Sequence, residues 1–236
     1  MMKTPGIAYL WAAAAFLGVV LGAHAAHSSV DPAIEARREF LDAARLTPDR
    51  NRGAQRFAAC TACHGQDGLG ASDGSVPAIA GQHGSVLLKQ LVDFRNEQRW
   101  NFRMQQTVDW HRLPTAQDLT DVAAFVASLP RFPTNARPAD DGALLHEGAR
   151  VYFRLCEACH GPLGQGDGLR LRPRLAGQHY DYLLRQLTDT AAGYRPGMDR
   201  MHVERIRGLT PEQMRGVADY LSRVSPDLSS ESARPR

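Results

Sequence analysis

The chain holds four cysteines, and all of them fall in two matching strings, CTACHG at 60–65 and CEACHG at 156–161. Each string sets two thiols three residues apart, Cys60 with Cys63 and Cys156 with Cys159, and places a histidine, His64 or His160, directly after the second. Four chemistries use closely spaced cysteines. A zinc ribbon sets its two Cys-x-x-Cys knuckles about 15–20 residues apart, and far more chain separates these. A thioredoxin-type redox pair needs a βαβ setting, which the flanking sequence does not offer. Disulfides suit an exported chain but give the two histidines no task. Attachment of c-type haem uses all three residues. The thiols add to two vinyl groups on one porphyrin edge, and the imidazole one step along the turn reaches the iron. Two such strings with no cysteine left over point to two covalently bound haem c groups, with His64 and His160 on the irons.

An iron held this way has a second axial position. Methionine is the common partner of histidine in electron-transfer cytochromes c, where it raises the reduction potential. Met104 is the one methionine of the first half beyond the leader, lies in a loop downstream of the histidine, and is the candidate there. In the second half Met198 and Met201 bracket the matching position. Met201 lies 15 residues past Gln186, where Met104 lies 14 past Gln90; Met198 lies 12 before Thr210, where Met104 lies 11 before Thr115. The two counts disagree because one residue is missing from this loop in the second half. Met214 repeats the helix position of Leu119 and reads as core. His111 and His202 lie in the same loops but do not align with each other. His83 and His179 do align, yet come too early in the loop and read as capping or surface residues. Pro77 and Pro173 also match, and carbonyls near them could accept from the imidazole Nδ1–H, a usual way of orienting a ligating histidine. Arg95, Arg99, Arg103, Arg195 and Arg200 could meet haem propionates but read individually as surface charges.

The elements that carry these residues form an internal repeat. Cys60, Cys63, His64, Pro77 and the string Ala80-Gly81-Gln82-His83 recur 96 residues later, and Thr115 and Val122 recur 95 later. Leu119, Val122, Ala123, Val126 and Leu129 fall on one face of a helix, as do Met214, Val217, Ala218, Leu221 and Val224. Thr210-Pro211-Glu212-Gln213 reads as a helix start. Further helices fit Gly53–Phe57, Gly148–Phe153, Ser85–Phe94 and Tyr180–Leu187, and no period-2 strand stands out. Each copy, at about 80 residues, is at the low end for a self-sufficient core, which fits a unit built around a cofactor. The fold class is therefore all-α.

The first residues read as an export signal: Lys3, an apolar run from Ile7 to Val20, and the small residues of Ala23-His24-Ala25. The run is shorter than the roughly 20 residues a spanning helix needs, so cleavage after Ala25 is expected over retention as an anchor. The expected organisation is a signal peptide at 1–25, an extension at 26–50, domains at 51–129 and 143–226, a proline-containing linker at 130–142, and a tail at 227–236. Asp31-Pro32 can start a helix in the extension, either packed or solvated. The formal net charge of +3 gives no polyanion signal, so nucleic acid is not an expected partner.

These residues resemble the dihaem cytochromes c of the cytochrome c4 family. The likeness covers about residues 50–225 and rests on two CxxCHG units. Each is followed by P-x-(I/L)-A-G-Q-H, LL(K/R)QL, a loop methionine, an LT-type cap and a VA-x-(F/Y) helix. Residues 27–50 and the longer loop after Met104 depart from it. The resemblance implies two class I cytochrome c domains with His/Met iron in each, and favours Met201 over Met198. It also implies periplasmic electron transfer between membrane-bound respiratory complexes, from the quinol–cytochrome c reductase side toward a terminal oxidase, with peripheral membrane association allowed. Two other roles stay open at this point. One is an electron-accepting subunit of a periplasmic dehydrogenase. The other is an enzyme with one open haem acting on peroxide or sulfur compounds.

Overall fold

The computed structural model describes residues 31–131 and 142–225. The expected signal peptide, most of the linker and the tail lie outside these residues. The first unit carries α1 (Pro32–Ala43), α2 (Arg50–Phe57), α3 (Thr61–His64), α4 (Gly84–Arg95), α5 (Phe102–Thr107) and α6 (Ala116–Ser128). The second carries α7 (Gly142–Leu155), α8 (Glu157–His160), α9 (Tyr180–Ala192), α10 (Arg200–Arg207) and α11 (Pro211–Arg223). Among the described residues the only β pairing is an isolated bridge between Asp167 and Arg172. None of the described helices is long and apolar enough to cross a membrane. Both closing helices start on capping boxes, Thr115 with Asp118 and Thr210 with Gln213. The short helices α5 and α10 occupy stretches expected to be loops.

In each unit the helix that leads into the Cys-x-x-Cys-His string crosses the last helix closely, α2 over α6 and α7 over α11, and the sequence permits this at one point. A Cβ on Gly53 would lie 2.1 Å from the Asp121 carbonyl oxygen, and one on Gly148 would lie 1.9 Å from that of Gly216. Next to each crossing two aromatic rings pack at 5.4 Å, Phe57 with Phe125 and Tyr152 with Tyr220. One further residue separates Tyr152 from Cys156 than separates Phe57 from Cys60, and α7 absorbs it by running on to Leu155.

The extension is a packing helix. Asp31 caps α1, which buries Ala36 and Ala43 against the first core. Its Glu39 pairs with Arg95 of α4, both almost wholly inside. The Thr120 hydroxyl on α6 donates to the Ala43 carbonyl at 2.9 Å.

The two units meet through the Ala-Gly-Gln-His strings. Gln178 accepts from the Ala78 amide and donates to its carbonyl at 3.0 and 2.7 Å; Gln82 does the same to Arg174 at 2.8 and 2.9 Å. His83 Nε2 donates to the Gln165 carbonyl and His179 Nε2 to the Leu69 carbonyl, each at 2.8 Å. Every one of these contacts has a partner shifted by the repeat offset, the signature of a self-complementary interface. Arg131 sits between the units and donates to the carbonyls of Ala80 and Ala176 at 3.2 and 3.0 Å. His83 and His179 are thus bridges between units as well as the cap residues of α4 and α9.

Candidate haem sites

Each Cys-x-x-Cys-His string forms a one-turn helix, α3 or α8, that starts after the first cysteine and ends on the histidine. One turn puts both thiols and the imidazole within reach of a single flat group. The cysteines are unbonded to one another; Cys60 and Cys156 are half-buried, Cys63 and Cys159 exposed. Burial, with Cys63 adding to it, pushes the Cys60 thiol up to about 11. Burial does the same to Cys156, against an opposing effect of Arg205.

Both histidines are buried and held by the same device. His64 Nδ1 donates to the Pro77 carbonyl at 3.1 Å, and His160 Nδ1 to the Pro173 carbonyl at 3.0 Å. This fixes the tautomer and leaves Nε2 as the free lone pair of a metal ligand. Burial lowers both imidazole pKa values, which favours that neutral form. The loop returns to the histidine through Gly70 and Gly166, whose amides donate to the His64 and His160 carbonyls at 2.9 and 2.8 Å. Both glycines have positive φ, 76° and 72°, and a Cβ there would strike the Pro77 or Pro173 carbonyl oxygen at 2.5 or 2.6 Å.

In the first unit Met104 is half-buried on α5 and packs on the core cluster that also contacts Cys60. The second unit differs. Met201 is 62% exposed, and Met198 is half-buried in the turn before α10. His202 instead faces His160, with ring centroids 5.9 Å apart and an interplanar angle of 61°. Burial, then the neighbouring His160, pushes His202 down to about 4. His111, its loop counterpart in the first unit, is exposed.

The arginines do not behave as a set. Arg95 is buried with Glu39 and also donates to the carbonyls of Val108 and Leu113. Arg99 is buried between the units, on Gln90, Tyr182 and Gln186. Arg195 reaches Gln90 at 3.1 Å and is pushed down to about 9, by burial first and by Arg99 second. These three depart from the surface reading, because their partners come from elements remote in sequence. Arg103 is exposed, and Arg200 is exposed beside Glu204.

Two segments, residues 51–130 and 145–225, match the family described as cytochrome c. Cytochrome c4 of Azotobacter vinelandii is 33% identical over 193 residues, covering 75% of this chain and 90% of that protein. The crystal structure of reduced recombinant cytochrome c4 from Pseudomonas stutzeri superposes with a TM-score of 0.66 at 31% identity, covering 75% of this chain and all of that one. The chain belongs to the cytochrome c4 family. A thiosulfate dehydrogenase electron acceptor from Stutzerimonas stutzeri is also similar, 34% identical over 180 residues, covering 70% of this chain and 79% of that protein. As a member of this family, the chain folds as two tandem cytochrome c domains, carries two covalently bound haem c groups and serves electron transfer. The residues present fit that cofactor: two free thiols and an imidazole with a fixed tautomer stand on one helical turn in each unit.

Proposed function

We propose that this protein is a periplasmic electron carrier that takes single electrons from one redox protein and delivers them to another. Membrane-bound respiratory complexes, a quinol–cytochrome c reductase and a terminal oxidase, are the proposed partners. Cys60 and Cys63 tether one haem and Cys156 and Cys159 the other; His64 and His160 bind the irons, and Met104 closes the first site. When bound, each haem supplies a one-electron iron couple. The chain's own residues hold each imidazole in one orientation, exclude water with the α2–α6 and α7–α11 cores, and fix the two sites relative to each other.

The observation that carries this reading is the reciprocal pairing of Gln82 with Arg174 and Gln178 with Ala78. It ties the two haem-binding units to each other, which a carrier needs if an electron is to pass between them without a search. Rapid mixing of the oxidised protein with reduced quinol–cytochrome c reductase tests it. Reduction of both haems within the enzyme's turnover time supports the reading. Reduction slower than turnover rejects these partners.

The likeness to the thiosulfate dehydrogenase electron acceptor supports a second reading, in which the donor is a dehydrogenase of that kind. Thiosulfate plus such an enzyme would then reduce this protein faster than the respiratory complex does.

A further inference from the structure

We infer that His202, and not Met201 or Met198, is the second axial ligand of the iron bound by His160. This rests on the reading of the two Cys-x-x-Cys-His strings as haem-attachment sites, and it gives the two irons different ligand sets.

Position within the helix is the first argument. In the first unit Asn101 caps α5, and its side chain accepts from the Met104 amide at 3.0 Å. In the second unit Asp199 caps α10, and its side chain accepts from the His202 amide at 3.1 Å. Met104 and His202 are each the third residue after the cap. His202 therefore takes the structural place of Met104, although the offset between them matches neither repeat interval.

Helix phase is the second. Residues four apart share a helix face. His202 shares its face with Ile206, the buried residue of α10, while Met201 shares its face with the exposed Arg205. Bringing Met201 to the iron would turn α10 by about a quarter of a revolution and expose Ile206.

Distance is the third. Metal–imidazole bonds of about 2 Å on each side of one ion put the two ring centres roughly 6 Å apart. The His160 and His202 rings lie at 5.9 Å. Their 61° interplanar angle is compatible with this, because two imidazoles on one ion bind it at any mutual twist, and the Pro173 carbonyl sets that of His160.

The ligand sets order the potentials. Methionine raises the potential of a His-ligated haem, so the Met104 site is the easier to reduce and the His202 site the harder. An electron entering at the second unit runs downhill to the first.

The test uses the holoprotein with its haems counted as the pyridine haemochrome, which checks the attachment reading separately. With two haems per chain, the far-red methionine–iron band of the oxidised protein is expected at half the intensity of a protein with two His/Met haems. Met201→Leu and Met198→Leu should leave the band unchanged, and Met104→Leu should abolish it. His202→Ala should leave the band intact but turn one haem high-spin and open it to carbon monoxide when reduced. His202→Met should double the band and bring the two potentials closer. A band halved by Met201→Leu or Met198→Leu overturns the assignment, as does His202→Ala with both haems still low-spin and closed to carbon monoxide. Fewer than two haems per chain rejects the attachment reading instead.

Discussion

Gln82 and Gln178 clasp the two units from opposite sides, each side-chain amide pairing with both backbone groups of one residue in the other unit, Arg174 and Ala78 respectively. Each carboxamide stands in for a peptide group of a β-ladder. Both glutamines are buried, so removing them leaves backbone groups without partners, at about 1–3 kcal/mol per group. The Gln82→Ala/Gln178→Ala protein should show faster hydrogen exchange at Ala78 and Arg174 while both haems keep their spectra. Exchange at the wild-type rate would mean the units are held by other contacts.

The glycines at the helix crossings leave no room for a methyl group. Gly148→Ala places a Cβ against backbone that cannot rotate away, and overpacking of this kind costs about 1–3 kcal/mol or more. Gly53→Ala should do the same in the first unit. Thermal melts followed by circular dichroism check this, and an unchanged midpoint for both variants would mean the helices cross elsewhere.

The repeat, the long helices and the two haem-attachment strings were legible in the sequence because each has a local signature. Residues that act across the fold were not. Gln82 and His83 look like cap-region residues until the partner unit, some ninety residues away in sequence, is placed against them. The extension hid its role because Glu39 reads as one more solvated acid, whereas Arg95 waits for it inside. Met201 drew attention by chemical type and by counting. The phase of α10, set by the Asp199 cap and readable from the His202–Ile206 spacing, turns that side chain outward.

Glu39 is the partner that makes the burial of Arg95 tolerable. Removing one member of a buried pair leaves an uncompensated charge, at about 3–5 kcal/mol. Glu39→Ala should therefore lower the melting temperature of the first unit well below that of the second, and Glu39→Gln, which keeps a hydrogen-bonding side chain, should cost less. Equal melting of the two units in Glu39→Ala would show that α1 only rests on the surface.

Acid should also act on the first unit first. Burial pushes Asp121 up, but the Arg52 guanidinium, the Asp49 amide and the Gln117 amide outweigh it and hold the carboxyl below its ordinary value of 3.8. Asp118 behaves likewise, with burial opposed by Thr115 and Arg56. A carboxyl depressed in the folded state stabilises above its unfolded pKa and loses that contribution as pH falls through the folded one. The loss therefore begins near pH 3.8 and grows below it. At the matching places the second unit has Gln213 and Gly216, which do not titrate. Melts between pH 5 and pH 2.5 should show the first unit falling faster, and parallel losses would refute this.

The central claim is that two covalent haems, one per unit, make this chain a single-electron carrier. A potentiometric titration of the purified holoprotein, with haem counted per chain and the reduced form exposed to carbon monoxide, tests it most directly. The account predicts two haems, two one-electron waves at separate potentials, low-spin spectra throughout and no carbon monoxide adduct. A single haem, or one that is high-spin and binds carbon monoxide as isolated, would contradict it and move an open catalytic site to the front.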